Sequence, residues 1–197
     1  MTQQHNILTE ECHREQRIVR SGATVEEYMA FENTTEERHE FHNGDIIIMP
    51  EVHHKHAIIV ANLMGILFPQ LRGRGRIYSE MLKLSIPSYK KIVYPDVMIT
   101  LGEEEFVEDD SMRLANPIVV IEVLSKSTAK YDRTDKFEYY RSIPSVQEIV
   151  FITQNERFVE LYRRQNGGWM MFDIADSGAV LHLESVQASV SLDDLYA

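Results

Sequence analysis

Cysteine is almost absent from this sequence, because Cys12 is the only one among 197 residues. A single cysteine excludes an internal disulfide and argues against a thiolate zinc cluster, which in most structural forms needs two or more. Long apolar runs are also missing, since none approaches the about 20 residues that span a bilayer. Residues 1–20 contain no apolar stretch typical of a secretory signal. We therefore expect a cytoplasmic protein without a membrane segment.

Positive charge is scarce as well. The chain has 20 Lys and Arg against 31 Asp and Glu, a formal net charge of −11. Affinity for a phosphate backbone comes mainly from Lys and Arg, so this balance counts against tight binding of a nucleic-acid duplex by a monomer. The charges are unevenly spread, with a basic run at Arg72, Arg74 and Arg76 and an acidic segment within residues 103–110. Local distribution therefore matters more than the total.

What the sequence does contain fits one domain of ordinary composition. The hydrophobic fraction is 44% and the charged fraction 26%, both common for globular proteins. No repeat or low-complexity linker divides the chain. We expect a polar N-terminal arm over residues 1–22 and a single domain over residues 23–197.

Local patterns predict alternating helices and strands. Thr24 and Glu27 have capping-box spacing for a short helix, and Asn43-Gly44 suits the tight turn of a hairpin within residues 40–49. Apolar residues at helical spacing predict a helix from His54 to Leu71, and a second one is expected over about 131–141. Strands are predicted over 76–86, 91–101, 117–124, 147–153, 157–163 and 169–174, with shorter ones beyond 179. This order indicates an α/β or α+β domain with a mixed sheet flanked by helices.

A carboxylate lies inside the most apolar predicted strand. Glu122 stands between Ile121 and Val123, where an ionised carboxylate is costly unless it is paired or binds a metal. A Glu at a strand end that reaches solvent or an arginine explains it equally well. Asp96, which follows Pro95 at the entrance to another apolar strand, favours the metal interpretation. If the two strands are neighbours, both carboxylates converge at one end of the sheet, and oxygen ligands grouped in this way suit Mg²⁺.

Lys136 adds a positive charge on the helix after the Glu122 strand. Its spacing from Asp132 also allows an ordinary surface ion pair, which would contribute only about 0.3–0.5 kcal/mol. Without the two carboxylates, the surface pair is the better explanation. The run from His53 to His56 permits a transition-metal interpretation, although exposed histidines at a helix start explain His53 and His54 better. The segment 169–172 is read as core or interface.

An ordered series of motifs resembles a known family. The residues that carry the resemblance are Tyr94-Pro95-Asp96, the run from Val120 to Thr128, the series Asp132, Lys136 and Tyr140, together with Glu40, His56 and the segment 144–148. In that order they resemble the Uma family of restriction-endonuclease-like proteins, whose fold is similar to that of the PD-(D/E)xK nucleases. The resemblance covers about residues 24–175.

The resemblance implies a metal-dependent endonuclease. Asp96, Glu122 and the backbone carbonyl of Val123 would hold Mg²⁺ or Mn²⁺, and Lys136 would be the catalytic amine. Glu40 would hold a second metal or anchor Lys136. The resemblance also implies that some residues contact the substrate or hold the metal-binding and catalytic residues in place. These are His56, Lys126, Asp132 and Tyr140.

Two positions depart from the family pattern. In a standard PD-(D/E)xK site the lysine follows the Glu by two residues on the same strand, but here that position is Leu124. The resemblance implies that Lys136 supplies the amine from the next helix. Lys126 stands where the family often has Pro and is a rival for the same role.

Three functions remain open from the sequence. The first is cleavage of DNA by a homodimer whose two sites address two strands. The second is hydrolysis of single-stranded or structured nucleic acid, which tolerates an acidic surface better. The third is a catalytically idle module that binds nucleic acid or protein and retains the fold, because fold similarity alone does not fix function.

Overall fold

The computed structural model describes residues 17–51, 53–107, 112–124 and 129–197, and the side chains of residues 129–132 are not described. The helices in chain order are α1 (Val25–Glu32), α2 (His54–Leu71), α3 (Ala129–Arg141) and α4 (Leu192–Leu195). The strands are β1 (Ile18–Arg20), β2 (His39–His42), β3 (Asp45–Ile48), β4 (Gly75–Ser79), β5 (Lys83–Ile86), β6 (Lys91–Val93), β7 (Val97–Leu101), β8 (Arg113–Leu114), β9 (Val119–Leu124), β10 (Glu148–Thr153), β11 (Val159–Gln165), β12 (Gly168–Ile174), β13 (Val180–Leu183) and β14 (Ala188–Ser191).

The described residues divide into two compact units. The first contains residues 17–51 and 86–93, and the second contains residues 53–85 and 94–197. Of the predicted arm, Ile18–Arg20 form β1 and pair with β3, while residues 1–16 lie outside the described residues. Within the described part of the chain, no helix is long and apolar enough to cross a membrane.

The first unit is a small antiparallel sheet covered by α1. Its strands follow the order β1-β3-β2-β6, and the predicted hairpin of β2 and β3 turns through Asn43 and Gly44, both at positive φ. The predicted capping box is present, since Thr24 accepts from Glu27 N while the Glu27 side chain accepts from Thr24 N. A core that includes Tyr28 and Phe41 fixes α1 on the sheet.

The second unit is built on a six-stranded mixed sheet in the order β12-β11-β10-β9-β7-β4. The strands β4, β7 and β9 are antiparallel neighbours. The strand β10 joins β9 in parallel after the crossover helix α3. One face carries a large apolar core with α2, α4, β13 and β14, and α3 contacts the sheet at β9 and β10. The prediction of a mixed sheet flanked by helices is confirmed.

Two predicted strands are each broken in two. The segment 76–86 turns after β4, where Leu82 N donates to Ser79 O, and the segment 91–101 is interrupted between β6 and β7. Pro95 lies in that interruption and has no N–H to donate to a ladder, so pairing stops there and resumes at Val97. This break places Asp96 directly before a central strand.

Candidate metal and active site

Asp96 caps the part of the β9 edge that β7 leaves unpaired. The register pairs Val97 with Ile121, so β9 continues for several residues beyond the start of β7. The Asp96 side chain takes the place of the missing strand partner, because its Oδ2 accepts a hydrogen bond of 2.6 Å from Val123 N. The strands β7 and β9 are therefore neighbours, which is the condition for the predicted convergence of Asp96 and Glu122.

His56, in the first turn of α2, contacts the other oxygen of Asp96. Its Nε2 donates to Asp96 Oδ1 over 3.0 Å. Burial lowers the pKa of His56, but the hydrogen bond and negative charge of Asp96, together with the charges of Glu122 and Glu80, outweigh it and raise the pKa. A cationic His56 beside the carboxylates is the form that this arrangement favours.

Glu122 is buried to 3% exposure and is held by two residues of α3. Lys136 Nζ donates to its Oε2 over 3.0 Å, and the Tyr140 hydroxyl donates to its Oε1. Residues four apart lie on one face of a helix, so α3 presents both donors to the same carboxylate. These two hydrogen bonds favour the ionised carboxylate and so oppose the cost of burying its charge.

The charge state of Glu122 depends on opposing effects. Burial raises the pKa of Glu122, the charge of Lys136 opposes this rise, and the nearby Asp96 carboxylate adds to it, so that the pKa lies at about 8. A cation placed between the oxygens of Glu122 and Asp96 would offset both the burial of Glu122 and the repulsion between the two carboxylates.

The donor set fits a hard cation that keeps part of its water shell. Among the described residues, no group of three His, Cys, Asp or Glu side chains is placed to hold a metal ion. A backbone oxygen is available at Val123. Leu124 O accepts from Gln154 N on the β10 side, so the preceding Val123 carbonyl faces the opposite side, toward Asp96. Two carboxylates and one carbonyl suit Mg²⁺ or Mn²⁺, which retain waters, better than they suit Zn²⁺.

The remaining predicted site residues are placed differently. Glu40 lies in the first unit, where its Oε2 is 2.8 Å from His42 Nε2, and His42 Nδ1 is 2.8 Å from Lys91 Nζ. Lys126 and the side chain of Asp132 lie outside the described residues. Whether Lys126 competes with Lys136, and whether Glu40 takes part, therefore stay predictions from the resemblance.

The histidines and arginines near α2 have structural contacts. His53 caps α2, accepting from Lys55 N at 3.5 Å. Arg74 donates to Gln70 O over 2.7 Å and to Val186 O over 3.2 Å. Arg74 N also donates to Leu71 O over 2.9 Å, so residues 71–74 form the turn between α2 and β4.

One buried carboxylate escaped the sequence argument. Glu148, at the start of β10, is fully buried and accepts from Arg163 Nε at 2.8 Å and from the backbone N of Glu184 and Ser185 at 3.1 Å each. The register pairs Glu148 with Arg163 on β11. In the sequence, the only sign of this pair was a Glu at the start of one apolar strand and an Arg in the next strand. The contacts show that Glu148 has a structural role, because it connects β10 to the segment 184–186.

A helix, an antiparallel β4-β7-β9 meander, a second helix and the parallel strand β10 define a restriction-endonuclease-like fold. The chain belongs to the Uma2 family, described as "Putative restriction endonuclease", which it matches over residues 25–194. The resemblance stated from the motifs is confirmed.

Three known proteins are similar to this chain in sequence or in fold. Two Synechocystis proteins are similar: "Uncharacterized protein sll1609" is 32% identical over 79% of this chain and 89% of its own length. The second, "Uncharacterized protein slr1290", is 29% identical over 87% of this chain and 90% of its own length. A crystal structure from Anabaena variabilis, described as "a putative nuclease belonging to DUF820", has a TM-score of 0.71 and 21% identity. It covers 88% of this chain and 97% of its own, and it supports the fold.

Proposed function

We propose that this protein is a divalent-metal-dependent endonuclease that hydrolyses phosphodiester bonds of DNA. The observation that carries the proposal is the pair of carboxylates, Asp96 and Glu122, at the meeting ends of β7 and β9, with Lys136 Nζ 3.0 Å from Glu122. Membership of the restriction-endonuclease family and the fold of the Anabaena nuclease support it.

Asp96, Glu122 and the Val123 carbonyl would hold Mg²⁺ or Mn²⁺. When bound, such an ion supplies Lewis-acid polarisation of a phosphoryl oxygen and lowers the pKa of water. Lys136 orients the attacking water and stabilises negative charge that develops on the phosphoryl group. Tyr140 fixes the Glu122 carboxylate by its hydrogen bond. His56, in its cationic form, holds Asp96 in place and adds positive charge for the phosphate.

The remaining features of the proposal are a homodimer and a cytoplasmic location. A homodimer would let two sites address the two strands of a duplex. The single cysteine fits a reducing compartment such as the cytoplasm.

A binding module without catalysis is the second candidate. The observation in its favour is that Lys136 and Tyr140 already satisfy Glu122, while Val123 N and His56 satisfy Asp96. Such a network has a structural purpose even without metal. The endonuclease and the binding module differ in one respect: in the endonuclease, a cation replaces part of this hydrogen-bond network.

Calorimetric titration of Mn²⁺ into the full chain separates the two candidates. We expect one saturable site in the wild type that is lost in Asp96→Asn and Glu122→Gln, both of which keep the shape of the side chain. Asp173→Asn, on β12, is the matched control and should bind as the wild type does.

Cleavage is then measured with supercoiled plasmid, single-stranded DNA and RNA in the presence of Mg²⁺. Cutting of DNA that disappears in both site variants supports the endonuclease. Cleavage of RNA alone would overturn the DNA assignment. A wild type that binds Mn²⁺ no better than Asp96→Asn removes the metal site and leaves the binding module.

A further inference from the structure

The outward face of α2 is apolar and uncharged. No Asp, Glu, Lys or Arg occurs between His56 and Leu71, although charged residues make up 26% of the chain. The side of α2 that faces the sheet contains Leu63 and Leu67, which are fully buried. On the opposite side, Ile58 is 47% exposed and Phe68 is 60% exposed. A surface helix normally carries charged or polar residues there, so this face is suited to an interface.

Gly65 lies in the middle of this face. A glycine inside a helix costs about 1 kcal/mol relative to alanine. A Cβ at this position would meet no heavy atom of the described chain within 4 Å. The packing of the described residues therefore does not explain why this position is a glycine. Close approach of the backbone of another molecule would explain it.

The exposed face is symmetric along the helix. Ile58 and Phe68 stand five residues on either side of Leu63, and Ala61 and Gly65 stand two residues on either side. If two copies of α2 pack antiparallel through their outward faces and cross at the level of Leu63, each Ile58 meets Phe68 of the partner subunit, and each Ala61 meets Gly65 of the partner subunit. Bulky residues then pack at the ends and small residues at the crossing. A two-fold interface requires self-complementarity of this kind.

We infer that two copies of this chain form a two-fold dimer in which α2 packs antiparallel against α2 of the second copy, through Ile58, Ala61, Gly65 and Phe68. The spacing of these four residues, three, four and three, forms a narrow seam suited to a helix–helix contact. The inference does not depend on the proposed nuclease activity.

The main rival surface is β12. Met170 and Met171 are 48% and 51% exposed on this edge strand. As neighbours in a strand, however, they point to opposite faces of the sheet and do not form one continuous surface. The face of α2 keeps its apolar residues on one side over about three turns.

Sedimentation velocity of the full chain over a range of concentrations tests the dimer. We expect a concentration-dependent dimer in the wild type. Gly65→Arg and Phe68→Glu should raise the dissociation constant by at least about 10-fold, because each blocks or charges the apolar contact. Arginine fits the open space at Gly65 and is the better helix former, so this variant keeps the fold. Circular dichroism and thermal unfolding verify that each variant is folded.

Met170→Glu, on β12, is the matched control and should leave the dimer intact. A wild type that stays monomeric up to its solubility limit overturns the inference. A dimer that Met170→Glu dissociates, and that Phe68→Glu leaves intact, overturns it as well.

Disulfide crosslinking tests the antiparallel register in a Cys12→Ser background. We expect Ile58→Cys and Phe68→Cys each to give little covalent dimer alone, since like positions lie about 15 Å apart along the helix. An equimolar mixture should give a covalent heterodimer on mild oxidation. Crosslinking by either variant alone, with none gained on mixing, would indicate a parallel contact and contradict the proposed register.

Discussion

At the scale of single residues, the site is a set of charged groups that constrain one another. Glu122 is buried and accepts hydrogen bonds from Lys136 and Tyr140 of α3. Asp96 accepts one hydrogen bond from Val123 N and another from His56. Each carboxylate therefore has a fixed orientation before any cation is present, which lowers the reorganisation needed for binding. Lys136 is the member whose role is easiest to separate from metal binding, because it donates to Glu122 Oε2 and, as an ammonium group, is not itself a metal ligand.

Replacement of Lys136 by alanine should leave the metal site but remove the catalytic amine. We expect Mn²⁺ affinity to change by less than about 10-fold and DNA cleavage to fall by at least about 100-fold, the usual effect of removing a group that stabilises developing charge. Calorimetry and plasmid cleavage measure the two quantities. Lys136→Arg, which keeps the charge, should recover part of the activity, and Lys90→Ala at an exposed position should have no effect. Equal activity of Lys136→Ala and wild type would point to Lys126 instead.

At the scale of elements, short strands are connected by side chains that bridge the breaks between them. Tyr78 on β4 donates from its hydroxyl to Glu104 Oε1 over 2.5 Å and so ties the segment that follows β7 to the sheet. Glu148 has the same function for the segment 184–186. These ties compensate for the small number of ladder hydrogen bonds at the ends of strands of four or five residues.

The Tyr78 tie should make stability depend on alkaline pH. Burial, then the hydrogen bond and charge of Glu104, raise the pKa of Tyr78 to about 12, above the value of about 10 in an unfolded chain. The stabilising contribution is present below the unfolded pKa and is lost as pH rises through the folded pKa. We expect the free energy of unfolding to fall less between about pH 9 and about pH 11 in Tyr78→Phe than in the wild type.

Urea unfolding at several pH values measures this difference. Glu104→Gln removes the negative charge beside the hydroxyl and should reduce the alkaline loss in the same direction. Identical pH slopes for Tyr78→Phe and wild type would contradict the role assigned to this hydrogen bond.

At the scale of the whole molecule, the two proposals together predict how DNA is cut. In the antiparallel dimer, His56 of one copy lies at the level of Gln70 of the partner subunit along the helix axis, because both are seven residues from Leu63. Seven residues are nearly two helical turns, so His56 lies on the sheet-facing side of α2 and the two copies of His56 are separated by about 21 Å along the axis and further by the width of the helix pair. The dimer thus holds two separate sites, one for each strand of a duplex.

Gly65→Arg should therefore change the products of plasmid cleavage. We expect nicked circles to accumulate before linear DNA, whereas the wild type should form linear DNA with little nicked intermediate. Gel electrophoresis of a time course measures this ratio. Cleavage of a single-stranded oligonucleotide should be unaffected, because Gly65 is not part of the site. A monomeric variant that still forms linear DNA directly would contradict paired cutting.

Local structure was largely readable from the sequence. Thr24 with Glu27, Asn43-Gly44, and the apolar spacing of His54 to Leu71 predicted a cap, a turn and a helix that the structure confirms, because these features depend on residues close in the chain. Strand boundaries around β4 to β7 were less accurate, since Pro95 and the turn after Ser79 interrupt runs whose composition alone looks continuous.

The sequence by itself determined which residues are out of place in their surroundings. Glu122 in an apolar strand, Asp96 after Pro95, and the motif that includes Lys136 and Tyr140 were visible without coordinates. Tertiary structure decided which of them touch: the offset of β7 against β9 brings Asp96 to Val123 N, and the crossover through α3 brings both donors to Glu122. Strand register and helix packing are long-range properties set by burial of the whole core, so no local pattern encodes these contacts.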